Sequence, residues 1–64
     1  MFYNVAQIAS YDSRQLLLIK GADGIPMVSV YDEHSGQTLM RACVSNFDNM
    51  KHAMLVLETG VDNG

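Results

Sequence analysis

The sequence predicts an α+β fold: an antiparallel three- to four-stranded meander with a C-terminal helix packed on one face. Three observations lead there. Residues 25–44, IPMVSVYDEHSGQTLMRACV, hold two apolar runs either side of a polar loop that ends in Gly36. Residues 45–59 repeat apolar side chains at helical spacing. The 64 residues are enough for one small domain, 1–64, and no more. A domain of that size buries only about 60% of the surface its unfolded chain exposes, so its stability is marginal.

Residues 2–10 are open to two readings. As a helix, Phe2, Val5, Ala6 and Ala9 share a face, which is the cleaner separation; as a strand, Phe2, Asn4, Ala6 and Ile8 line one side. The segment is short for a helix and has no N-cap. Tyr11-Asp12-Ser13-Arg14 is a turn signal. The run from Gln15 to Lys20 then fits either a short helix, with Asp12 and Gln15 as a capping box and Gly21 past its end, or a buried strand. The strand is favoured. The run is short, and it gives the following strand a second antiparallel neighbour, without which a two-stranded hairpin is not independently stable.

Ile25–Tyr31 and Thr38–Val44 form the central hairpin. Side chains alternate across a strand, so Val28 and Val30 fall on one face and Met27, Ser29 and Tyr31 on the other. In the second strand Met40, Ala42 and Val44 oppose Leu39, Arg41 and Cys43. The loop Asp32–Gly36 is polar and supplies a glycine able to take positive φ. Pro26 lacks an N–H and belongs near a strand start.

Ser45–Thr59 is the helix. Ser45 is the expected N-cap, Asp48 meets the positive end of the dipole, and Gly60 closes the helix with Val61 as its hydrophobic contact. Phe47, Met50, Met54 and Leu57, with Ala53 beside them, form the stripe expected on the sheet. That assignment leaves Leu55, Val56 and His52 on the outer helix face, and Tyr31, Leu39 and Arg41 on the outer sheet face. Asp62-Asn63-Gly64 reads as a frayed tail.

Composition narrows the function. The net charge is −3, which argues against a general nucleic-acid binder. A single cysteine, Cys43, excludes an internal disulfide and fits a reducing compartment. No CxxC or His/Cys spacing suggests zinc, and no cofactor is expected. Met1–Ser10 has no basic, apolar signal pattern, and the longest apolar run is far short of the ~20 residues a membrane span needs. The expected location is the cytoplasm, or that of a host cell.

The catalytic inventory is thin. Cys43 with His34 or His52 is a nucleophile–base pair on paper, but Cys43 sits in an apolar strand and reads as a core or sheet-face residue. Asp32, Glu33 and His34 are adjacent in a turn and do not converge as metal ligands do. GxSxG is absent, and Gly21-Ala22-Asp23-Gly24 lacks the pattern of a phosphate loop. The chain is expected not to be an enzyme.

The stretch VSVYDEHSGQTLMRACVSNFDNMKHAM resembles the strand–turn–strand–helix pattern of phage integrase arm-binding domains and plant AP2 domains. The resemblance implies a three-stranded sheet under a helix. Those domains read DNA with basic and aromatic side chains on the sheet, for which this sequence supplies only Arg14, Lys20 and Arg41. The function expected first is therefore a protein-binding module: an inhibitor, adaptor or regulator of a larger protein, as small phage and mobile-element proteins often are. Tyr31, Leu39, Arg41, His52, Leu55 and Val56 are the expected contact residues, and a homodimer is compatible with that role. A nucleic-acid-binding sheet face is the alternative.

Overall fold

The computed structural model describes residues 4–62. Phe2 and the tail from Asn63 lie outside the described residues. The strands are β1 (Asn4–Tyr11), β2 (Arg14–Lys20), β3 (Pro26–Asp32) and β4 (Gln37–Cys43), and the helix is α1 (Phe47–Thr59). They form one antiparallel sheet in the order β1-β2-β3-β4, with α1 across one face. The fold is α+β, a four-stranded meander followed by a helix. Both open questions in the N-terminal third resolve as strands. Residues 4–11 pair with β2 from Asn4↔Lys20 to Tyr11↔Arg14. Pairing wins over helical periodicity because β2 would otherwise be left with an unpaired edge along a buried strand.

The turns follow from local chemistry. Asp12 and Ser13 make the two-residue β1–β2 loop, and Asp12 takes a positive φ of 54°, which Asp tolerates better than most residues. Asp23 Oδ1 accepts from the Ile25 N–H at 3.1 Å in the β2–β3 loop. At the β3–β4 turn, Asp32 Oδ1 accepts from the Ser13 hydroxyl at 2.8 Å and from the His34 N–H at 3.0 Å. These bonds hold the Asp32 carboxyl below its ordinary pKa, with the Ser13 bond the largest cause.

The core lies between the sheet and the helix. Leu16, Val28, Val30 and Met40 come from the sheet, and Ala53, Val56 and Leu57 from the helix. Paired residues share a face, so Leu16↔Val30↔Met40 forms one row under the helix. The alternation read for residues 28, 30 and 40 is what the sheet uses.

The helix differs from expectation in rotation. Its buried line runs through Ala53, Val56 and Leu57 with Met50 half-buried, about 60° around from the stripe centred on Met50, Met54 and Leu57. Val56, expected on the outer face, is 1% exposed, whereas Phe47 is 76% exposed. Two features account for the rotation. Ala53 and Val56 are compact and let the helix approach the sheet closely, which a Phe47–Met54 line would not. Arg14, on the helix side of β2, also draws in the helix C-terminus: its Nε donates to the Leu57 carbonyl at 2.6 Å and its Nη2 to the Glu58 carbonyl at 2.9 Å. A guanidinium there satisfies carbonyls that have no partner within the helix and opposes the negative end of the dipole.

The caps are also partly as expected. Asn46, not Ser45, caps the helix, its Oδ1 accepting from the Asn49 N–H at 2.9 Å. Gly60 closes it in the left-handed region, with φ 76° and its N–H bonded to the Val56 carbonyl. Val61, expected as the hydrophobic contact of this cap, is 53% exposed.

A candidate protein interface on the open sheet face

The face of the sheet turned away from the helix is graded in polarity. The pairings Val5↔Ile19, Ile19↔Met27 and Met27↔Cys43 place four apolar side chains in a row across all four strands. The next row is Gln7, Leu17, Ser29 and Arg41. Beyond it lie Ser10, Gln15, Tyr31 and Thr38. The apolar row lies at the end of the sheet where the β2–β3 loop brings in Gly21, Asp23 and Ile25. Together with Arg41 these residues line a groove of about 620 Å³. Ile25 and Val5 are more than half exposed in it. Asp23 and Arg41 place one negative and one positive group on its lining.

This arrangement follows from the sequence in steps. β2 is apolar on both faces, so its odd-numbered Leu17 and Ile19 must face away once Leu16 faces the helix. Met27 and Cys43 follow from register. Ser29, in the middle of this open face, is only 2% exposed because Leu17 and Arg41 flank it on the two neighbouring strands.

The expected contact residues do not assemble into one surface. Tyr31 and Arg41 lie on the open sheet face as expected. Leu55 is exposed on the far side of the helix. His52 is half-buried beside β4, near Met40, Arg41 and Ala42, with its Nε2 2.7 Å from Asp62 Oδ1. Val56 is in the core and presents no surface. Leu39 is also corrected: β3 pairs Val30 with Met40 and then Tyr31 with Thr38, so Leu39 is the extra residue of a bulge. The bulge breaks strict alternation and turns Leu39 against the core. Val5, Ile19 and Ile25 were not among the expected residues. Their signal was the double-sided apolarity of Leu16–Ile19, which only the pairing register converts into a surface.

Cys43 is exposed and lines the groove. No imidazole lines that groove. His34 sits in the β3–β4 turn, roughly 20 Å away along β4 at about 3.3 Å per residue. Among the described residues, no three His, Cys, Asp or Glu side chains come together as a metal-binding set. Of the cations, Arg14 is engaged with the helix carbonyls and lies 5.5 Å from the Tyr11 ring centroid. Among the described residues no helix is long and apolar enough to cross a membrane. Compared with family models, curated proteins and solved structures, the chain matches none.

Proposed function

We propose that this chain is a non-enzymatic protein-binding module that acts as an inhibitor, adaptor or regulator by seating a partner on its open sheet face. The observation that carries the reading is the row Val5–Ile19–Met27–Cys43 with Ile25, an apolar groove spanning every strand and left uncovered by the other described residues. Contiguous exposed apolar surface with a polar rim is what partner sites present. Arg41 at the rim selects the partner chemistry: an apolar side chain to fill the groove, flanked by a carboxylate.

The test is a capture from lysate with four baits, each washed with nuclease and with high salt. The baits are the wild-type chain, Met27→Asp, Arg41→Glu and Leu55→Asp. The expected result is one protein retained by wild type and by Leu55→Asp, lost with Met27→Asp and weakened with Arg41→Glu. Alkylation of the Cys43 thiol should slow when that protein is bound. Equal retention by all four baits would sink the groove as the site. Retention that disappears with nuclease would replace the reading with nucleic-acid binding.

A further inference from the structure

The two edges of the sheet are treated differently. Along β4, Asn49 Nδ2 donates to the Cys43 carbonyl at 2.7 Å, and Asn49, His52 and Asp62 gather with Met40, Arg41 and Ala42 beside the strand. The helix and its following residues therefore flank the C-terminal half of that edge. Among the described residues β1 has no such cover. The helix lies chiefly over β2, β3 and β4, and every β1 residue except Ala9 is exposed.

An open edge presents a row of backbone N–H and C=O groups that can pair with another strand. Native edges are usually blunted by charge, proline or shortness. Here the edge strand is eight residues, NVAQIASY, with no charged residue and no proline. Its one blunting device is the bulge between Gln7 and Ala9, which leaves Ile8 as the extra residue, exposed.

We infer that β1 is a self-association edge, pairing antiparallel with β1 of a second copy to make a continuous eight-stranded sheet about a two-fold axis. Charge complementarity selects a second copy as the occupant. Each chain carries −3, so two copies repel overall, but the strands that meet are uncharged. In an antiparallel pair, the Asn4 end of one strand lies beside the Tyr11 end of the other. Lys20, which pairs with Asn4, is then two strand spacings from Asp12 of the second copy, about 10 Å, within reach of a lysine. Symmetry forms that contact twice.

Area sets the strength. A specific interface buries about 800 Å² per partner, against a total accessible surface of 4399 Å². A strand about 26 Å long supplies only part of that. The dimer is therefore weak and concentration-dependent. It uses the backbone edge of β1 and leaves Ile25, Met27 and Cys43 free; Val5 is the one groove residue on that strand, so the Met27→Asp test of the groove and the Ile8→Lys test of the edge remain separate.

Sedimentation of the full chain over a concentration range of about 5–500 μM tests it. Wild type should rise from 7.1 kDa toward twice that mass. Ile8→Lys places two like charges beside the axis and should weaken dimerisation at least tenfold. Lys20→Glu should weaken it several-fold, and adding Asp12→Lys should restore it. Wild type that stays monomeric throughout overturns the inference, as does a dimer that Ile8→Lys leaves intact. Should Ile8→Lys not fold, hydrogen exchange on the wild type decides. Amides in residues 4–11 that exchange more slowly at high concentration support β1 pairing, and exchange independent of concentration overturns it.

Discussion

On the helix side of the sheet, Leu16, Val28, Val30 and Met40 are sealed beneath Ala53, Val56 and Leu57. On the other side, Val5, Ile19, Met27 and Cys43 make an equally apolar row across the same strands and stay open. Side-chain type does not separate the two faces. β2 carries leucine on both, at Leu16 and Leu17. What separates them is where the single helix lands, and two anchors fix that. Asn49 ties its first turns to the end of β4, and Arg14 ties its last carbonyls to the start of β2. Arg14 lies on the same face as Leu16, two residues on, so its anchor directs the helix to that face.

The comparison is broken most forcefully by placing one charge on each side. At about 0.05–0.15 kcal/mol per residue, a chain of this length holds only a few kcal/mol of stability. Val56→Asp buries a carboxylate among Val28, Val30 and Leu57 and is expected to unfold the protein, read as loss of far-UV circular dichroism. Met27→Asp, on the open face, should leave the protein folded at a cost of about 1 kcal/mol in urea unfolding. Similar costs for the two would mean that the open face is buried after all.

The anchors themselves come next. Arg14→Met removes two charge-assisted hydrogen bonds to the helix C-terminus and should cost about 2 kcal/mol. Gly60→Ala places a side chain at φ 76°, with its Cβ 2.9 Å from Arg14 Nη1. It should cost about 1–2 kcal/mol. Because part of that cost is the collision with Arg14, the double variant should be destabilised by less than the sum of the singles. Strict additivity in denaturant unfolding would show that a side chain at residue 60 does not meet Arg14.

Acid titration gives the smallest effect. The Ser13 hydroxyl, with the His34 and Ser35 amides, lowers the Asp32 pKa in the folded state relative to the unfolded chain. The unfolded state then binds the proton more readily. The contribution is present above the unfolded-chain value and is lost as pH falls through the depressed folded value. Wild type should lose stability in acid slightly faster than Asp32→Asn, and matching pH profiles would remove Asp32 from the account. Since Ser13 lies in the β1–β2 loop and Asp32 ends β3, this bond ties two neighbouring turns together.

The central hairpin and the helix were legible because each depends on short-range order. Val28, Val30 and Met40 alternate cleanly, and the apolar run of residues 47–57 has helical spacing. The candidate site was less legible. Leu39 failed because a bulge is a relation between two strands, and nothing in residues 37–43 announces it. Val56 failed because hydrophobic periodicity places a stripe only to within the width of a side chain. Ala53 and Val56 at one flank of the stripe could pack more closely than Phe47 and Met54 at the other.

By itself, then, the sequence determined the strand and helix inventory from residue 25 onward, the turns at Asp12-Ser13 and residues 33–36, and the glycine that ends the helix. These are set by φ preferences, by side chains that bond their own backbone, and by alternation along the chain. Tertiary structure alone decided that residues 4–11 and 14–20 are strands, that the helix rolls onto Val56, and that Val5, Ile19, Ile25, Met27 and Cys43 share a surface. The physical reason is common to all three. Each depends on hydrogen bonds or packing between segments far apart in the chain, and one of those bonds, from Arg14 to the helix carbonyls, spans 43 residues.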